Sequence, residues 1–420
     1  MFGQVARLFS GAASHPVFRL SARENRNSFA AKANQENTSK TLGRTKDPNQ
    51  GDASIMRRNP FLLTALTGAL AASTAFAAHA QELRILNWSD YIDESIIAEF
   101  EAETGIDVTY DVFDSNEVLE TRLLAGQSGY DIVVPTADFL SRQIQAGVFQ
   151  PLNKAELPNL ENVWPAIAER LEVYDAGNTF SINYMWGTTG IGLNVDMVVE
   201  RLGEDFAYDT WDLVFDPEIA GQLQDCGIYW LDAPTEMIPA ALNYLGHDPD
   251  SRDPDQIAEA TELMVSLRDT VQRFHNSENI NALANGDICV AIGWSGDMLI
   301  ARDRAAEADN GVNVDYTIPR EGALMWFDQM AIPADAPNPE AAHQFLNFIL
   351  EPESIAAATN YVFYANGNLA SQEFVLEEIL TDPAIYPDEA TTASLYTLPA
   401  YDPRTQRIVT RSWTTVKTGQ

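Results

Sequence analysis

The sequence predicts an α/β protein built as two lobes. Strand and helix patterns alternate from Leu83 onward as βαβαβ, the alternation resumes near Ile228, and a glycine-rich extended segment, Tyr184–Asn194 (YMWGTTGIGLN), lies between the two regions. Such alternation gives parallel sheets with helices on both faces. The 340 residues from Gln81 to Gln420 suffice for two cores.

Each element follows from local chemistry. Leu83–Leu86 reads as a short strand running into the loop Asn87-Trp88-Ser89-Asp90-Tyr91. Ile96, Ile97 and Phe100 recur at helical spacing, and Gly105 supplies a helix stop. Val108–Phe113 is the next strand, followed by a helix opened by Asp114 with Glu117 three residues on, a capping-box pattern. Tyr130–Pro135 reads as a buried parallel strand whose loop, Thr136-Ala137-Asp138, leads into a helix. Farther on, Ile228–Leu231 is a strand, Asp232-Ala233-Pro234 a turn, and Thr235 onward a helix. Ile288–Ile292 is another buried strand, leading through the loop Gly293-Trp294-Ser295-Gly296 to Asp297, and Val314–Pro333 is a second extended pass.

The amino-terminal region belongs to a different class. From Met56 the chain carries Arg57 and Arg58, an apolar run from Phe61 to Ala78, and the small-residue site Ala78-His79-Ala80. That is a secretory signal peptide over 56–80, cleaved near Ala80, and it implies an exported, periplasmic chain without membrane insertion. No Cys follows the apolar run to anchor a lipoprotein. Residues 1–55 are basic, polar and without apolar periodicity, and are expected to be an upstream extension from a start assigned too early.

The chain has 26 Lys and Arg against 61 Asp and Glu; 10 and 4 of these precede Gln81, leaving 16 against 57, a net charge of −41. Such a balance repels nucleic acid and anionic lipid and suits a cationic ligand, although a solvated acidic coat explains most of it. Cys226 and Cys289 form an isolated pair, expected in an oxidising compartment to make one disulfide. His247, His275 and His343 show no metal-ligand spacing, so neither a metal nor a Cys–His site is expected.

Ligands of open α/β sheets lie beyond the carboxyl ends of strands. The loops expected there contain Trp88-Ser89-Asp90-Tyr91, Thr136-Ala137-Asp138, Asp232 to Glu236, Trp294 to Asp297, and Trp326-Phe327-Asp328. Three of them pair a Trp with an Asp two or three residues later. Indole faces cover methylenes and attract ammonium charge at roughly 0.5–2 kcal/mol each. Carboxylates accept the ammonium hydrogens. Read singly, a loop Trp is more often packing and an Asp after a strand more often a helix cap; together they point to a cation-binding cleft.

From about Glu82 to Gln420 the chain resembles the periplasmic putrescine- and spermidine-binding proteins of polyamine ABC transporters, the putrescine branch above all. The resemblance rests on NWSDYI, YDVFDSNEVLE, AGVFQPL, MWGTTGIG, LDAP, NYLG, LANGDICVAIGW, VFYAN and RSWTTVK. It implies a two-lobed periplasmic binding protein of type II, each lobe a mixed sheet flanked by helices, with the ligand cleft at the hinge. Lobe 1 is expected over 82–185 plus about 313–363, and lobe 2 over about 186–312 plus 364–420, with the glycine-rich crossover in the hinge. The resemblance implies that Trp88, Trp294 and Trp326 sandwich the aliphatic chain, with Ser89 and Asp90 at one edge. Asp297 and Asp328 would grip one ammonium, Glu236 would lie toward the other end, and Tyr91, Thr136 and Tyr364 would line the site. It also implies the Cys226–Cys289 bridge, an ABC permease with its ATPase as partner, a monomer, and no cofactor.

Two positions depart from the putrescine type. Trp326 stands where that branch carries Phe and the spermidine type carries Trp. Asp138 fits neither, and a third carboxylate on that wall could receive an extra amine. Against this, Ala233 and Leu398 match the putrescine type, so putrescine and spermidine both stay open. Alternatives from other classes are a carboxylate-based hydrolase, for which no nucleophile elbow or phosphate loop is present, a binder of another cation such as agmatine, thiamine or ferric iron, and a ligand-occupied sensor.

Overall fold

The computed structural model describes residues 81–419; the signal peptide expected at 56–80 and the extension at 1–55 lie outside the described residues. The first apolar alternation forms β1 (Glu82–Trp88), which pairs in parallel with β2 (Asp107–Phe113) and β3 (Ile132–Val133). Between β1 and β2 runs α1 (Glu94–Thr104). Its cap Asp93 accepts the Ser95 amide at 2.9 Å, and Gly105 ends it in the left-handed conformation, φ 72°. After β2 comes α2 (Asn116–Leu124), and after β3 comes α3 (Ala137–Gln145).

The long strand β4 (Ser181–Asn194) is buried at every residue. Beyond it the βα grammar repeats with β5 (Ile228–Trp230), α4 (Pro234–Tyr244), α5 (Pro254–Ser266), β6 (Val271–Phe274), α6 (Glu278–Ala284), β7 (Val290–Trp294) and α7 (Ser295–Ala308). Strands β8 (Val314–Thr317) and β9 (Met325–Ala331) follow, then α8 (Pro339–Ile349), α9 (Pro352–Val362), the two-residue β10 (Ala365–Asn366) and α10 (Pro403–Thr418).

The sheet order is β2-β1-β3-β9-β4-β7-β5-β6, with β8 and β10 also on β4. Two parallel sets, β2-β1-β3 and β7-β5-β6, are therefore joined through antiparallel β9 and β4. The amino-terminal half of β4 pairs with β9 over Ser181–Thr188, and its carboxyl half pairs with β7 and β8 over Thr189–Asn194. This is the two-lobed mixed α/β fold. One core packs Leu83 and Ile85 of β1 with Phe100 of α1, whose ring meets Phe345 of α8 at 5.1 Å. The other packs Phe215, Trp230 and Met237 under α4, α5 and α10. Each such fully buried side chain stabilises the fold by about 1.5–3 kcal/mol.

Five local expectations shift. The strand expected at Tyr130–Pro135 shortens to Ile132–Val133, because the Asp131 carboxylate takes the Arg84 amide (2.9 Å) and the Asn338 amide (2.6 Å) in place of further ladder bonds. The cap of α2 is Ser115 rather than Asp114, its hydroxyl accepting from the Val118 amide at 3.4 Å. No loop separates Gly293 from Asp297: β7 runs to Trp294 and α7 begins at Ser295, with Asp297 in its first turn, where the helix dipole favours an acid. Trp326-Phe327-Asp328 lie inside β9, since the turn comes earlier, at Pro319–Gly322, where Gly322 adopts φ 107°. β8, expected with the first lobe from about 313, pairs instead with Ile191–Asn194 of β4 beside β7.

Cys226 and Cys289 are bridged, tying the turn before β5 to the residue before β7 across a sequence separation of 63. On the chain-entropy model, closing that loop stabilises the fold by about 4 kcal/mol. Replacing both cysteines with Ala is expected to lower unfolding free energy by about 2–4 kcal/mol; urea melts of the two proteins, each fitted with its own m-value, measure it.

Candidate functional site

The register of β4 assembles the site. Opposite its centre stand Trp294 (paired with Thr189), Trp326 (with Gly187) and Asp328 (with Met185). Trp326 and Asp328, two residues apart on β9, project to the same face of the sheet. A Cβ at Gly187 would stand 2.7 Å from the Trp326 ring and 2.9 Å from both Ser295 Oγ and the Tyr364 ring, so glycine is what allows these three groups to converge over the strand. Trp88 closes β1: its indole N–H donates to Val134 O at 2.9 Å, and its ring meets Trp294 edge to face at 5.4 Å. Trp326 meets Tyr364 in the same manner at 5.2 Å.

These residues wall a partly enclosed cavity. Its acids are held by neutral donors. The Tyr91 hydroxyl donates to Asp328 Oδ2 at 2.7 Å, and Tyr91 is itself positioned by the Tyr184 hydroxyl, which donates to its carbonyl at 2.6 Å. Asp328 Oδ1 and the Trp326 indole nitrogen are buried without a hydrogen-bond partner. The Tyr364 hydroxyl donates to Asp297 Oδ1 at 2.9 Å and accepts from the Asp297 amide at 3.0 Å. Trp294 Nε1 donates to both oxygens of Glu236, at 3.1 and 3.0 Å, and the Thr189 hydroxyl donates to Oε2. A second compartment adjoins the first, shares Asn116, Thr136, Glu236 and Trp326 with it, and contains Asp138 and Leu398. Among the described residues, no Lys, Arg or His lines either compartment.

Clustered acids with no cation among the described residues of their own cavity resist ionisation. Burial pushes Asp297 and Glu236 each up to about 7 and Asp138 up to about 6. Asp328 is driven well above the usual carboxylate range by burial first and then by the charges of Glu236, Asp138 and Asp297.

Ten of the residues singled out in the sequence line the main cavity: Trp88, Ser89, Tyr91, Thr136, Glu236, Trp294, Asp297, Trp326, Asp328 and Tyr364. Asp138 lines only the second compartment. Asp90 lines neither: its backbone is left-handed, φ 54°, and its carboxylate meets Arg304 of α7 at 2.8 Å. Asp232 likewise points elsewhere, bonded to Trp413 Nε1 at 2.6 Å and to Lys417 Nζ at 2.9 Å. Sequence reasoning missed two lining residues. Asn116 opens α2, and its side chain bonds both the amide and hydroxyl of Thr136; Ser277 follows β6 and faces Ser89 across 3.4 Å. The usable signals were the strand-end position of Ser277 and the polar start of α2. β6 itself, VQRF, lacks a clean alternation.

A family model described as bacterial extracellular solute-binding protein matches residues 95–387. The chain belongs to that family. Among curated relatives of this solute-binding protein, the putrescine-binding periplasmic protein PotF of Escherichia coli is 51% identical over 358 residues, covering 84% of this chain and 97% of the relative. The putrescine-binding periplasmic protein SpuD of Pseudomonas aeruginosa is 50% identical, covering 87% and 100%. Among solved structures, a putative spermidine/putrescine ABC transporter protein from Listeria monocytogenes superposes with a TM-score of 0.73 at 32% identity, covering 81% of this chain and 100% of that one.

In this solute-binding protein, hydrogen bonds outside the cavity join segments that follow β1, β2 and β3 to segments that follow β6 and β7 and to α10. The Asn276 side-chain amide donates to Asp114 O at 2.8 Å, and Arg142 Nη1 donates to Gln406 Oε1 at 3.3 Å, alongside the Arg304–Asp90 pair. The elevated acids give the ligand-free protein an unusual pH response. Unfolded Asp and Glu titrate near 4, so between about pH 4 and 7 the folded state binds more protons than the unfolded state, and stability from these groups falls as pH rises. Thermal melts from about pH 5 to 8 are expected to show this decline in the ligand-free protein, and Glu236→Gln with Asp297→Asn to flatten it.

Proposed function

We propose that the chain captures a polyamine in the periplasm and presents it to an ABC permease with its ATPase, without catalysis. The observation that carries this reading is the cavity itself: half-buried Glu236, buried Asp297 and Asp328 and three indoles, with no basic side chain among the described residues that line it. An ammonium supplies the charge those acids lack, and its methylene chain lies against Trp88, Trp294 and Trp326. Asp328 Oδ1, which has no partner, is the acceptor with most to gain. The relatives' names as putrescine-binding periplasmic proteins support the same ligand class and compartment.

In this reading the middle of β4 and the β8–β9 connection form the hinge, because the strand pairing changes lobes there. Hinge closure brings Trp294, Asp297 and Glu236 over an amine resting on Trp88, Tyr91 and Asp328. Desolvating a charged amine is costly, so its ends bind where carboxylates already wait.

Calorimetric titration with putrescine, cadaverine, agmatine, spermidine and spermine tests the ligand class. Asp328→Ala and Asp297→Ala are each expected to weaken binding by about 2–5 kcal/mol, the cost of leaving a buried charge without its partner. Unchanged affinity in both variants would remove these two residues from the site.

A further inference from the structure

We propose that the cleft binds a triamine in preference to a diamine, with Asp138 as the acceptor for the third ammonium; this rests on the polyamine reading above. The two compartments set the acids in a series. Asp297 and Asp328 line only the first, Asp138 lines only the second, and Glu236 stands on the wall common to both. A linear amine running from one compartment to the other meets an acid pair, then Glu236, then Asp138. The indole of Trp326 also belongs to both compartments and continues the aromatic surface along that path.

The second compartment has the character of a binding subsite. Its walls include Leu398, which suits methylenes, and Tyr174, whose hydroxyl donates to Leu398 O at 3.1 Å and keeps its oxygen as an acceptor. Asp138 has a cation one helical turn away, Arg142, but that guanidinium is committed to Glu120 at 2.5 and 2.9 Å and to Gln406 at 3.3 Å. A diamine spanning Asp297, Asp328 and Glu236 leaves half-buried Asp138 with no ammonium of its own, only the field of an Arg142 already bonded elsewhere, whereas a third amine pairs it directly.

Calorimetric titration of the wild-type protein and of Asp138→Asn with putrescine and spermidine tests this. The wild type is expected to bind spermidine at least about tenfold more tightly than putrescine. Asp138→Asn is expected to weaken spermidine about 30-fold or more and to change putrescine by less than about threefold, the retained putrescine binding also reporting an intact fold. A wild type that prefers putrescine, or a variant that loses both amines equally or neither, overturns the third acceptor while the polyamine reading stands. A wild type that binds neither amine defeats the polyamine reading, and this inference with it.

Discussion

Everything in this molecule is hung on β4. Fourteen consecutive residues are buried, and the strand exchanges partners at its midpoint, from β9 on one side to β7 and β8 on the other. A strand buried on both faces must pair its backbone throughout, so neither half of the sheet can be completed without it. Gly187 sits where the partners change, and its missing side chain is the space into which Trp326, Ser295 and Tyr364 converge. Cavity and connection between lobes are thus consequences of one backbone element.

The second constraint is electrostatic. Burying several carboxylates without an internal cation is costly, and here it is tolerated because neutral donors stand around them: Tyr91 on Asp328, Tyr364 on Asp297, Trp294 and Thr189 on Glu236. Hydroxyl and indole donors orient an acid without neutralising it, leaving its demand for positive charge in place. An arginine in the same position would satisfy the acid and close the site to a cationic guest.

Much of this was legible in the sequence. The strand–helix alternation, the helix stop at Gly105, the glycine-rich crossover and the disulfide all follow from local chemistry or compartment, and the structure places them as read. What failed was the aim of particular side chains. Asp90 and Asp328 each follow a Trp by two residues, yet only Asp328 faces the cavity. Asp328 lies in regular β structure, where period-two alternation holds, while Asp90 follows a strand end where the backbone turns left-handed. Sequence spacing reports a direction only when the backbone conformation is known. Asn116 and Ser277 were missed for a related reason: uncharged polar residues at element ends are common, and only tertiary structure brings these two to the cleft.

The disulfide lies at the amino ends of β5 and β7, while Trp294 closes β7 and Glu236 and Asp297 sit in the first turns of the helices that follow β5 and β7. Durability and selectivity are therefore set at opposite ends of the same strands. Reducing the bridge would lower stability while leaving the cavity's walls in place, so the pocket can be retuned without disturbing the staple.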